Sequence, residues 1–152
     1  MRYFRVIRME DTDMTGVIFF ARLHAIALEA LEYSLAEIGL KVSSLVQQGY
    51  FLPIVHSEAD FMKPIFLDDC LQIEVFLAEI KSKSLSFAFE FTKQNETVAI
   101  AKLTHVLVDR ESKKGIVIPQ QIGERLSSLP KKEVNLLLAS SANRLDKGKN
   151  GR

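Results

Sequence analysis

The sequence predicts an α+β fold in which a five-stranded antiparallel sheet wraps one long helix. Three observations carry this prediction. A single apolar stripe at spacings of three and four runs from Leu23 to Ile38. Runs with period-two alternation flank it on both sides. No segment repeats, and 152 residues suit one domain. A wide-striped helix and an antiparallel sheet bury their apolar faces most simply as two packed layers.

The elements follow in order. In RYFRVIR (2–8), Tyr3, Arg5 and Ile7 alternate with Phe4, Val6 and Arg8, as in a strand. The helix stripe is Leu23, Ile26, Ala27, Ala30, Leu31, Leu35 and Ile38, in a segment rich in Ala, Leu and Glu. Gly39 stands where a left-handed residue ends a helix. SSLVQQ (43–48) reads as a short helical turn opened by Ser43 or Ser44 and ended by Gly49.

Strands then dominate to about residue 109. YFLPIVHSEADFMKPI (50–65) reads as one strand whose two prolines, Pro53 and Pro64, confine its ends to edge or bulge positions. DDCLQIEVFLAEI (68–80) places Leu71, Ile73, Val75 and Leu77 on one face. SKSLSFAFEFTK (82–93) gives the clearest alternation, with Leu85, Phe87, Phe89 and Phe91 on the core side. Gln94-Asn95-Glu96 reads as a tight hairpin turn, and TVAIAKLTHVLVDR (97–110) as one long final strand. Residues 111–115 form a polar turn, and 119–129 a short helix with Pro119 near its first turn. One helix inside a five-stranded antiparallel sheet is the hot-dog arrangement. Its open strand edges favour pairing into a homodimer or homotetramer.

Composition excludes several classes. The chain is 47% hydrophobic and 26% charged, with a formal net charge of +1, so neither nucleic acid nor membrane is implied. Residues 131–152 carry six Lys/Arg and two acids, net +4, and leave −3 for the rest. The expected organisation is a domain over 1–130 and a basic, flexible tail over 131–152. No apolar run reaches the roughly 20 residues that span a bilayer, and no signal-peptide core opens the chain. One cysteine, Cys70, excludes an internal disulfide, and no Cys/His cluster has zinc spacing. A cytoplasmic protein without metal or redox cofactor is expected.

The chemistry concentrates in MEDTDMTGVIFFARL (9–23). Acids before a helix can act as caps. Asp13, however, lies about ten residues before Leu23, with Gly16 between them, so the segment reads as a loop crossing the helix end. A carboxylate there, beside Val17, Ile18, Phe19 and Phe20, suits a nucleophile or general base, and helix N–H groups suit an oxyanion hole.

EDTDMTGVIFFARL resembles the active-site segment of the 4-hydroxybenzoyl-CoA thioesterase family of hot-dog proteins. Asp11, Asp13, Gly16, Val17, Ile18 and Phe19 fill that family's Asp-x-Asp-x-x-Gly pattern. LEALEYSL and GYFLPIVHSEADFMKPIFLDDCLQI resemble its 1,4-dihydroxy-2-naphthoyl-CoA thioesterase branch, which belongs to menaquinone and phylloquinone synthesis. The resemblance covers roughly residues 3–110. It implies hydrolysis of an aromatic acyl-CoA, with coenzyme A present only as part of the substrate.

Residue by residue, the resemblance implies Asp13 as the catalytic carboxylate and Gly16 as the loop glycine. It makes the Phe20 backbone N–H the oxyanion donor. Val17, Phe19 and His56 then line the substrate pocket, and Lys63, Lys81, Lys83 and Ser84 meet coenzyme A. Asp11 is expected to support the loop and Glu10 to end the first strand. Glu29 is a reserve nucleophile, because a helical glutamate serves another hot-dog branch. His24 and His105 read as structural. Two other readings stay open: a fatty acyl-CoA or acyl-carrier-protein thioesterase on the same site, and a non-catalytic acyl-CoA-binding protein.

Overall fold

The structure is a computed structural model and describes residues 1–132. Five strands form an antiparallel sheet in the order β1-β4-β5-β6-β3. They are β1 (Arg2–Val6), β3 (Ile54–Phe61), β4 (Cys70–Ile80), β5 (Ser84–Lys93) and β6 (Glu96–Val106). The sheet curls around α1 (Phe20–Glu37), which is the hot-dog arrangement that the periodicities predict. A 3-10 turn (Met9–Asp11), which holds Glu10 where the end of the first strand is expected, short helices α2 (Val42–Gln47) and α3 (Gln120–Leu126) and a two-stranded pair, β2 (Tyr50–Phe51) with β7 (Val108–Asp109), complete the described chain.

The core lies between α1 and the concave side of the sheet. Leu23, Ile26, Ala27, Ala30, Leu31 and Leu35 of α1 are buried, as are Leu71, Ile73, Val75 and Leu77 of β4. Phe87, Phe89 and Phe91 of β5 have no exposed surface. The neighbouring strand makes room for these rings: Phe89 is paired with Ala101, and Phe91 with Ala99. Burying each ring is worth roughly 1.5–3 kcal/mol.

Several sequence expectations need correction, among them the start of α2, which is Val42 behind Lys41 rather than Ser43 or Ser44. The segment 50–65 is two strands, not one. Pro53 has no N–H for a ladder, its carbonyl accepts from the Val106 N–H at 3.1 Å, and the β3–β6 register shifts between Ile54 and His56. The expected final strand likewise divides at Leu107 into β6 and β7. The helix begins at Phe20, three residues before its first buried stripe residue, because its first turn is exposed.

Lys131 and Lys132, assigned to the tail, lie on the sheet. The Leu77 N–H donates to the Pro130 carbonyl at 2.9 Å, and Lys132 Nζ is 2.9 Å from Glu90 Oε2. The rest of the expected tail lies outside the described residues. No helix among the described residues is long and apolar enough to cross a membrane.

Edges matter more for the site than the core does. Among the described residues β3 pairs only with β6, and most of its residues are exposed on both faces. It therefore presents a free row of backbone groups, with Ile54, Val55 and Phe61 exposed beside it.

Candidate active site

The loop before α1 is a small hairpin. The Asp13 N–H donates to the Val17 carbonyl at 2.9 Å, and the Gly16 N–H returns to the Asp13 carbonyl at 3.2 Å. The three residues between, Met14, Thr15 and Gly16, end with Gly16 at φ +79°. That is the left-handed position which glycine adopts without strain, in the common three-residue hairpin. The hairpin is docked on residues 65–67. The Ile18 N–H donates to the Ile65 carbonyl at 2.8 Å, and the Leu67 N–H to the Gly16 carbonyl at 3.1 Å.

Asp13 stands exposed at the base of this hairpin. Its Oδ1 accepts from the Thr15 hydroxyl at 2.6 Å and the Thr15 N–H at 2.8 Å. Those two bonds, the hydroxyl first, hold its carboxyl below the usual carboxylate range. It is therefore an anion at neutral pH. Oδ2 makes no hydrogen bond among the described residues.

Asp11 is different. Its side chain has no exposed surface. Arg5 approaches both oxygens, at 2.9 and 3.2 Å, and Arg22 approaches Oδ1 through Nε at 3.0 Å and a terminal nitrogen at 2.7 Å. The Arg8 N–H adds a bond at 2.8 Å. Burial pushes this carboxyl up, but the Arg8 N–H and the two guanidinium groups outweigh it and hold it low. Asp11 thus clamps β1, the loop and the first turn of α1 together. Its carbonyl also accepts from the Phe19 N–H at 2.8 Å.

The start of α1 is left open. Phe19 precedes it without a side-chain cap, and the first turn contains no acid. The Phe20 N–H is the first of the helix and has no helical partner by geometry. Beside it lies a groove of about 430 Å³ lined by Val17, Ile18, Phe20, Phe61, Met62, Lys63, Pro64 and Ile65.

Val17 and Phe20 line this groove; Asp13 and Gly16 are not among its lining residues but adjoin Val17 through the hairpin. Phe19 adjoins them, its ring 4.9 Å from that of Phe20, but it does not line the groove. Lys63 reaches the rim and pairs with Glu96.

Five expected residues are elsewhere in the chain. His56 alternates onto the convex face of β3, paired in register with Thr104 and 3.8 Å from Glu58, so it does not line this groove. Lys81, Lys83 and Ser84 form the β4–β5 hairpin at the opposite end of the sheet, and β5 spans about 30 Å between the ends. Glu29 is held by Arg5 at 3.0 Å and the Tyr3 hydroxyl at 3.2 Å, which ties it into the clamp.

His105 is buried beside Phe87 and bonded through Nδ1 to the Leu52 carbonyl at 3.0 Å. Burial pushes its pKa down, which keeps it neutral. Among the described residues, no group of three His, Cys, Asp or Glu side chains is placed to hold a metal ion.

Sequence reasoning missed Arg5, Arg22 and Thr15. Arg5 was legible in part, since it shares a strand side with apolar Ile7 and lies on the side that turns inward.

The thioesterase-like superfamily profile matches residues 7–126. This chain belongs to that superfamily. Among thioesterase-like relatives, a 1,4-dihydroxy-2-naphthoyl-CoA hydrolase of Microcystis aeruginosa is 32% identical over 130 residues, covering 85% of this chain and 94% of its own. A solved gentisyl-coenzyme A thioesterase superposes with a TM-score of 0.77 at 25% identity, covering 83% of this chain and 99% of its own. A 1,4-dihydroxy-2-naphthoyl-CoA thioesterase from Synechocystis shares the fold with a TM-score of 0.77 at 24% identity, covering 84% and 96%.

Proposed function

We propose that this chain is an aromatic acyl-CoA thioesterase acting on a substrate of the 1,4-dihydroxy-2-naphthoyl-CoA type, a step of menaquinone or phylloquinone synthesis. The observation that carries the reading is the juxtaposition at the start of α1. An exposed carboxylate, held anionic by Thr15, stands across a hairpin from Val17, and an uncapped helix N-terminus opens beside an apolar groove. The names of the relatives support the aromatic acyl-CoA class.

The thioester carbonyl would receive the Phe20 N–H, and the helix dipole would stabilise the oxyanion as it forms. Two routes fit this placement. Asp13 attacks the carbonyl, the C–S bond breaks, and water opens the resulting anhydride. Alternatively, Asp13 takes a proton from the water that attacks. Both consume one water and release a carboxylate, a proton and coenzyme A thiol. ¹⁸O found in the Asp13 side chain after a single turnover in ¹⁸O-water identifies the anhydride route with water attacking the Asp13 acyl carbon, since the general-base route places label only in the product.

A second copy would complete the site. The outer edge of β3 is unpaired among the described residues, and antiparallel pairing of two β3 edges reverses one sheet relative to the other. That reversal carries the partner's β4–β5 hairpin to the Asp13 end, where its lysines would meet coenzyme A phosphates. Mixing Asp13→Asn protein with Lys81→Glu/Lys83→Glu protein tests this. Heterodimers regain one intact site, so activity should rise above that of either variant alone; no rise contradicts a shared site.

The activity itself is tested with an acyl-CoA panel that includes 1,4-dihydroxy-2-naphthoyl-CoA, followed by release of free thiol. Highest kcat/KM on the aromatic thioesters is the expected result. An optimum on aliphatic chains would replace the aromatic assignment with a fatty acyl one. Binding without turnover would leave an acyl-CoA-binding protein.

A further inference from the structure

We propose that His24 and Ser57 form a hydroxyl-recognising pair that selects ring-hydroxylated acyl groups. This inference rests on the thioesterase reading and adds a specificity determinant to it. The pair was not legible as such in the sequence, where His24 reads as structural and His56 as the pocket histidine.

The geometry assigns the opposite roles. His24 follows Phe20 by four residues on α1, so the two side chains share one side of the helix, about 6 Å apart along its axis. That rise matches the span of one aromatic ring. Ser57 and Phe61 share the helix-facing side of β3, since they are paired with Leu103 and Ala99, both core residues of β6. His56 is on the other side of that strand. The seam between α1 and β3 therefore has Phe20 and Phe61 at one end, lining the groove. At its other end His24 Nδ1 and Ser57 Oγ are 2.5 Å apart.

This bond fixes one ring nitrogen and leaves the other to work. Nε2 makes no hydrogen bond among the described residues, and it is not among their buried unpartnered atoms, so it is open to solvent. If Ser57 donates to Nδ1, Nε2 carries the proton and donates; if Nδ1 donates, Nε2 accepts. A phenolic hydroxyl meets either state, because it both donates and accepts. An unsubstituted ring or an alkyl chain meets neither, and it strips water from Nε2 without replacing the hydrogen bond. The groove's lining residues include Phe20 and Phe61 but not His24 or Ser57, so a ring with its carbonyl at the Phe20 N–H would extend past them along the seam to reach this nitrogen.

The experiment compares kcat/KM for 1,4-dihydroxy-2-naphthoyl-CoA with kcat/KM for 2-naphthoyl-CoA. Wild-type enzyme should favour the hydroxylated ring by about tenfold, the scale of one net hydrogen bond. His24→Phe should bring the ratio close to one, acting mainly through KM. His24→Gln, which keeps a hydrogen-bonding group, should retain part of the preference. Ser57→Ala should give an intermediate ratio, and its exposed position keeps the test available if His24→Phe does not fold. A ratio unmoved in His24→Phe and Ser57→Ala, an equal fall on both substrates, or a wild type without preference overturns the pair while leaving the thioesterase reading intact. A wild type that turns over neither substrate overturns that reading, and the pair with it.

Discussion

Asp11 and Asp13 sit two residues apart on one loop, yet their surroundings are opposite. Asp11 is sealed from water between Arg5 and Arg22, with its two oxygens occupied. Asp13 is exposed, and Thr15 orients it through one oxygen. The first arrangement fixes structure, because removing one partner of a buried ion cluster strands the others. The second suits reaction, because a free lone pair faces outward on a held side chain. The pair shows that an acidic motif near a helix start is not one feature: register along the loop decides which carboxylate is used up by the fold.

The largest expected effect that would break this contrast is on turnover. Asp13→Asn should lower kcat about a thousandfold, with the thermal midpoint close to wild type, measured by thiol release and calorimetry. Asp11→Asn should act on the fold first. It should lose about 3 kcal/mol in urea unfolding, since it leaves two arginines facing an uncharged amide. Gly39→Ala should cost about 1 kcal/mol, because Gly39 closes α1 at φ +79° against the Arg125 guanidinium.

The smallest effect sharpens the account of Asp13. Thr15→Ala removes the hydroxyl that most lowers the Asp13 pKa, so that pKa should rise toward the ordinary 3.8. The active form is the anion, which is lost as pH falls through the folded-state pKa. The acid limb of the kcat/KM profile should therefore lie below pH 3.8 in wild type and move upward in Thr15→Ala, if both remain folded. Asp11 has the same sign for stability: its contribution is present above pH 3.8 and lost as pH falls through its lowered value.

Much of the fold was legible because burial and periodicity coincide. The Leu85–Phe91 alternation and the Leu23–Leu35 stripe are buried as read. Less legible were elements governed by backbone rather than pattern. Phe20, Ala21 and Arg22 form a first helical turn that buries nothing completely, so no apolar period announces it. Pro53 splits a strand that composition presents as continuous.

Within the site, the Asp13–Gly16–Phe20 segment was readable because its residues are close in sequence. The Asp11 clamp needs Arg5 and Arg22 brought together across a loop, and the His24–Ser57 pair joins residues 33 apart. The expectation for His56 rests on resemblance rather than on register, and β3 sends its side chain to the face opposite that of Ser57.

The most direct test of the division between the two aspartates measures kcat and unfolding free energy side by side for Asp13→Asn and Asp11→Asn. A crossed result is expected: Asp13→Asn stable and nearly inactive on the aromatic acyl-CoA, Asp11→Asn destabilised. An Asp13→Asn protein that hydrolyses the thioester at the wild-type rate would contradict it.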